Sequence, residues 1–242
     1  MDAAKEVLII ALDDLERDEA LEVVKKTWPY AQTYKIGLAL YSAYGASLVR
    51  DIQDLGAEVF LDLKFHDIPM QVQKAVERCL VLKPRFLTLH ASGGFPMMAE
   101  AAKVAASSKT TILAVTVLTS IDTNEAQRLG FNETIEERVL RLSALALEAG
   151  IFGLVSSPKE AFMIKKHYGS RAFLVCPGVR LKNDAALDQA RIMTPKDAIM
   201  AGANRLVVGR PITAAQDMAK AAEIISLEIK EALASREATN AL

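Results

Sequence analysis

Apolar residues are gathered into short runs along the whole chain. Eight runs stand out, at 7–12, 34–37, 59–63, 86–89, 112–118, 152–155, 173–176 and 206–208. Continuous apolar stretches of this length are what a strand buried on both faces requires. Between them the apolar positions recur three and four apart, which predicts helices over 15–28, 41–55, 72–82, 96–106, 135–149, 158–167, 195–201 and 214–234. Gly56, Gly150 and Gly202 each stand after a predicted helix and just before a new strand, where helices stop. Pro158 and Pro195 suit first helical turns, with Ser157 and Thr194 before them as caps.

Strict strand–helix alternation without a long linker predicts an α/β fold, a closed (β/α)8 or TIM barrel, as a single domain over 1–235. An open doubly wound sheet is the structural alternative. It usually has fewer strands and a glycine-rich first turn, whereas Asp13-Asp14 follow the first run here. The end of the chain, 236–242, loses the apolar stripe and is expected to fray.

Composition narrows the function classes. The chain has 242 residues, with 29 Lys and Arg against 30 Asp and Glu. A net charge near zero gives the surface as a whole no attraction for a nucleic acid or an anionic membrane, so a small anion would need a local site. The apolar run at 7–12 is too short for a membrane span or a signal-peptide core. The two cysteines, Cys79 and Cys176, form no CxxC pair, and a reducing cytoplasm is the simplest expectation. His66, His90 and His167 are scattered and speak against a structural zinc site.

In such a barrel the active site lies where the strands end at their C-termini. Asp13 ends the first strand, Lys35 lies on the second, and Asp62 and Lys64 lie on the third. Residues two apart on a strand point to one face, so Lys64 faces the interior if Asp62 does. Asp67 lies past the strand end, and its direction stays open. A purely structural ion pair is the simpler alternative for Asp62 and Lys64, but it gains little over apolar packing. Asp13 and Lys35 on neighbouring strands favour a working array. The loops after strands seven and eight, "PGVR" and "VGRPIT", combine Gly178 and Gly209 with Arg180 and Arg210. Exposed N–H groups and guanidinium forks there suit a phosphate, and an ion pair closing the rim is the alternative. His90 reads as a core histidine, His66 as a residue that could orient its loop, and His167 as solvated. Cys176 reads as a small buried hydrophobe. "SGGF" at 92–95 fits either an anion site or a tight turn into a helix.

The chain resembles orotidine 5′-phosphate decarboxylases of the bacterial type along nearly its whole length. The resemblance rests on "ALD" at 11–13, "YKIGLAL" at 34–40, "FLDLKFHDIP" at 60–69, "VTVLTS" at 115–120, "CPGVR" at 176–180, "DQARIMTPKDAIMAG" at 188–202 and "LVVGRPIT" at 206–213. It implies a homodimeric barrel that converts orotidine 5′-monophosphate to uridine 5′-monophosphate and CO2 in de novo pyrimidine synthesis. No metal and no organic cofactor are implied. The resemblance makes Lys64 the proton donor to pyrimidine C6 and sets Asp62 beside the substrate carboxylate. It gives Asp13 and Lys35 the ribose hydroxyls, with Lys35 also in the charged array, and sends Asp67 to the neighbouring subunit's site. It puts Thr119 by the base, Gln189 near base and phosphate, and Gly209, Arg210 and Arg180 at the phosphate end. Two positions depart from the family pattern. Met70-Gln71 stand where "NT" is usual after "DIP", and Leu181 stands in place of the usual proline.

Two other readings are open. One is a related barrel acting on a keto-sugar phosphate with Mg²⁺ held at the DxKxxD core, where a carboxylate in place of Lys35 would be expected. The other is a non-catalytic nucleotide-binding barrel, against which the intact set of five charges argues.

Overall fold

The computed structural model describes residues 2–179 and 193–240. Eight strands close into one barrel: β1 Leu8–Ala11, β2 Thr33–Gly37, β3 Glu58–Phe65, β4 Phe86–His90, β5 Thr111–Val115, β6 Gly153–Val155, β7 Phe173–Pro177 and β8 Arg205–Val208. Every strand pairs in parallel with its neighbours in the sequence, and β8 returns to β1. The predicted TIM barrel is therefore the observed fold.

Two apolar layers follow from period-two alternation. Ile9, Ala11, Phe60, Phe86, Leu113, Val175 and Val207 fill the barrel interior. Their strand neighbours, among them Leu8, Ile10, Tyr34, Ile36, Leu61, Leu87 and Leu206, pack outward against the helices. Strands buried on both faces explain why the sequence shows runs and not alternation. At the N-terminal end of the barrel, Arg85 pairs with Glu58 at 3.7 Å and Arg205 with Glu6 at 3.4 Å, so that end carries balanced charge.

Helix boundaries follow the expected chemistry. Gly56 and Gly150 adopt positive φ after helices Leu38–Asp54 and Ile135–Glu148, a conformation that residues with a Cβ resist. Ser157 and Thr194 form capping boxes with Glu160 and Asp197 at the starts of helices Pro158–Tyr168 and Pro195–Met200. Among the described residues, three short α-helices lie outside the sequence pattern, Ala3–Val7, Thr123–Arg128 and Arg210–Thr213. Segments of four to six residues are too short to show a helical period. The last helix runs from Met218 to Asn240, into the stretch 236–242 where fraying is expected. Arg236 holds it down by donating to the carbonyls of Ile199 and Ala203 at 3.3 and 3.0 Å, so charge anchors this turn where the apolar stripe has faded.

Candidate active site

A cavity of about 550 Å³ opens at the C-terminal ends of the strands. Asp13, Lys35, Asp62 and Lys64 line one side of it, and Thr119, Gly209 and Arg210 line the other loops. The structure thus brings together seven of the residues expected at the site, from strands or loops distant in sequence.

The four charges alternate in sign. Lys35 Nζ donates to both carboxylate oxygens of Asp13, at 2.8 and 2.7 Å, and lies 3.4 Å from Asp62 Oδ2. Lys64 Nζ donates to the same Asp62 Oδ2 at 2.8 Å. Strand register explains the arrangement: Ala11 pairs with Lys35, and Gly37 pairs with Asp62. Gly37 leaves open the space that Asp13 occupies, since a Cβ there would fall 2.4 Å from Asp13 Oδ1. Lys35 and Asp62 are buried, whereas Asp13 faces the opening with 46% of its side chain exposed. Burial alone would raise the Asp62 carboxyl pKa. Lys35 and Lys64, with hydrogen bonds from Lys64 and Thr88, outweigh burial and hold it below its ordinary range. Asp62 is consequently an anion in a nearly dry place, sharing one oxygen between two ammonium groups.

Lys64 reaches this position by an irregularity that strand periodicity does not contain. On the β4 side, Leu61 pairs with Leu87 and Phe65 with Leu89, so the segment between them bulges. Lys64 has φ of 47°, which costs a residue with a Cβ about 1–2 kcal/mol. The missing ladder partner is replaced by a side chain. Thr88 Oγ1 accepts from the Lys64 N–H at 2.9 Å and donates to Asp62 Oδ1 at 2.9 Å. Sequence reasoning passed over Thr88. Its signal was present in "FLTLH": a hydroxyl two residues after Phe86 shares the inward phase of that strand.

Asp67 does not join this cluster within the chain. It is exposed, and its Oδ1 accepts from the Ile68 N–H at 2.6 Å. Arg180 and Gln189 lie outside the described residues, as does Leu181. Gln71 is exposed on the same rim as Asp67. His66 and His90 lie side by side with ring centroids 5.4 Å apart and ring planes tilted by 33°. Burial, with His66 and Lys64 nearby, lowers the His90 pKa, which favours a neutral ring. His167 is exposed at its helix end. Cys176 is fully buried and its thiol is pushed up to about 12, the behaviour of a small hydrophobe. "SGGF" forms a tight 3₁₀ turn, Ala91–Gly93, into helix Phe95–Ala105.

The model of one family, described as "Orotidine 5'-phosphate decarboxylase / HUMPS family", matches residues 6–225. The chain belongs to the orotidine 5′-phosphate decarboxylase / HUMPS family. It is 45% identical over 209 residues to the orotidine 5′-phosphate decarboxylase of Methylacidiphilum infernorum, covering 86% of this chain and 91% of that one. It is 42% identical over 233 residues to the same enzyme of Geotalea daltonii, covering 94% and 98%. The crystal structure of orotidine 5′-phosphate decarboxylase from Lactobacillus acidophilus superposes with a TM-score of 0.81 at 32% identity, covering 92% of this chain and 98% of that one. The span matched to the decarboxylase family contains every candidate residue from Asp13 to Arg210. Among the described residues no helix is long and apolar enough to cross a membrane.

Proposed function

We propose that this chain decarboxylates orotidine 5′-monophosphate to uridine 5′-monophosphate, with Lys64 as the proton donor. One observation carries the reading: an alternating row of Asp13, Lys35, Asp62 and Lys64 lines a cavity large enough for a nucleotide. The C6–carboxylate bond breaks, CO2 leaves, and the electron pair remains at C6. The ring delocalises that pair poorly, so the need is a positive charge already in place where the negative charge develops. The Lys64 ammonium supplies it, then transfers a proton from Nζ to C6 and becomes a neutral amine, which water reprotonates. Asp62 holds the Lys64 ammonium in place through Oδ2 and opposes the substrate carboxylate in the ground state. Lys35 fixes Asp62 from the other side.

Asp13 and Lys35 serve the ribose hydroxyls, Thr119 the base, and Gly209 and Arg210 the phosphate, with Arg180 and Gln189 completing the phosphate and base contacts. Binding energy from the phosphate, remote from the bond that breaks, organises the charged row. Asp67 serves the site of a second subunit in a homodimer. Its exposure supports this role, as do the exposed apolar side chains of Ile68 and Met70 beside it. The Mg²⁺-dependent reading is disfavoured because the Lys35 ammonium lies between Asp13 and Asp62, where a metal cation would have to sit.

The test is a spectrophotometric assay for loss of orotidine 5′-monophosphate, repeated with EDTA. Activity that EDTA does not change is expected. Lys64→Ala is expected to abolish turnover while binding of uridine 5′-monophosphate persists; turnover near wild type would refute the proton donor. Mixing Lys64→Ala with Asp67→Ala subunits is expected to recover activity through one intact hybrid site. No recovery in verified heterodimers would refute the shared site.

A further inference from the structure

We infer that Thr88 is a positioning residue for this reaction, holding Asp62 and Lys64 in register through one hydroxyl. The inference deepens the decarboxylase reading and rests on it. Thr88 is fully buried on β4 and pairs in the ladder with Leu113 of β5. Its backbone is therefore committed to the sheet on that side, and its side chain is free to serve β3. The hydroxyl proton goes to Asp62 Oδ1, and a lone pair accepts the Lys64 N–H. Both roles of the hydroxyl are used, and both partners belong to the charged row.

Each contact has a distinct consequence. With Oδ1 held by Thr88, the Asp62 carboxylate presents Oδ2 to Lys64 and Lys35. Rotation of the carboxylate would break three contacts together. The contact to the Lys64 N–H fixes the backbone where β3 leaves the ladder and φ turns positive. That backbone sets where the ammonium is delivered, and small misplacement of a catalytic group is costly to rate. Thr88 has no position on the ribose or phosphate side of the cavity, so it acts on the chemical step rather than on nucleotide binding.

The experiment compares Thr88→Val, which keeps the shape and removes the hydroxyl, with Thr88→Ser, which keeps the hydroxyl. Thr88→Val is expected to lower kcat about 10- to 100-fold, the loss of a hydrogen bond to a charged group, with affinity for uridine 5′-monophosphate changed by less than about threefold. The acid limb of its kcat–pH profile moves to higher pH, because Asp62 loses a donor that favours its anion. Thr88→Ser stays within about threefold of wild type in all three measurements. If Thr88→Val does not fold, Thr88→Cys, a small side chain with a much weaker donor, carries the same expectation. Wild-type kcat and an unmoved acid limb in Thr88→Val would overturn the inference, as would Thr88→Ser falling as far as Thr88→Val. A wild-type chain without decarboxylase activity would instead overturn the reading on which it rests.

Discussion

Gly37→Ala tests the charged row by steric means alone. The backbone at Gly37 is extended, with φ −85° and ψ −178°, so alanine meets no conformational penalty there. The added methyl would lie 2.4 Å from Asp13 Oδ1 and 3.4 Å from Lys35 Nζ. The first distance is about 1 Å inside the usual packing separation of heavy atoms. Asp13 is the member that can yield, because nearly half of its side chain faces solvent. Displacing it breaks two hydrogen bonds to Lys35. Hydrogen bonds to a charged group contribute roughly 1.5–3 kcal/mol when buried, and exposure of Asp13 reduces this to about 1–2 kcal/mol. At 1.36 kcal/mol per factor of ten, KM for orotidine 5′-monophosphate rises about 5- to 30-fold. Fold stability falls by about the same 1–2 kcal/mol, because both bonds are present in the unliganded fold, while the backbone contributions nearly cancel. Alanine is a poorer helix N-cap than glycine by up to about 1 kcal/mol, and the stiffer unfolded chain returns about 0.4–1 kcal/mol. Steady-state kinetics and urea unfolding read the two effects separately. In an Asp13→Ala background the same substitution has nothing to displace, and its effect on KM falls below about twofold. An unchanged KM in the single variant, or an equal effect in both backgrounds, would refute the reasoning.

Other expectations follow from the same structure. The Asp62 carboxyl pKa is lowered from 3.8 on folding, so its contribution to stability is fully present above that value and is lost as pH falls through the lower folded value. Asp62→Asn should therefore lose less stability than wild type as pH falls below 3.8, in urea unfolding. Arg236→Ala frees the Ile199 and Ala203 carbonyls and is expected to destabilise the fold by about 1–3 kcal/mol, read from the urea midpoint; an unchanged midpoint would show that the last turns of the C-terminal helix are not anchored there. Burial pushes the Cys79 thiol up to about 11 and the Cys176 thiol up to about 12. Neither should react with a thiol reagent at neutral pH until the chain is unfolded, and rapid labelling of the native protein would contradict their burial.

Much of the molecule is legible in its amino acids because the information is local. Runs such as 59–63 and 206–208 have the length of strands buried on both faces, and the glycine and proline signals between the runs punctuate helices. Eight such units leave few ways to close other than a barrel, and the barrel assigns its C-terminal rim to chemistry. Asp13, Lys35, Asp62 and Lys64 could thus be named from strand ends. The C-terminal helix was harder. Its outer turns are held by Arg236 reaching carbonyls more than thirty residues away, and no local pattern carries that contact.

The alternating row itself belongs to the tertiary structure. Period two placed Asp62 and Lys64 on one face, but the chain between Leu61 and Phe65 is a bulge with Lys64 at positive φ. The lysine is aimed by Thr88 on another strand. Gly37 matters for what is absent beside Asp13, a vacancy visible only when β1 and β2 lie side by side. The amino-acid sequence determined the barrel and the charges at its rim, since burial and helix periodicity act over a few neighbouring residues. Which oxygen meets which ammonium was decided only when the barrel closed, because those distances depend on strand register and on side chains brought together from far apart.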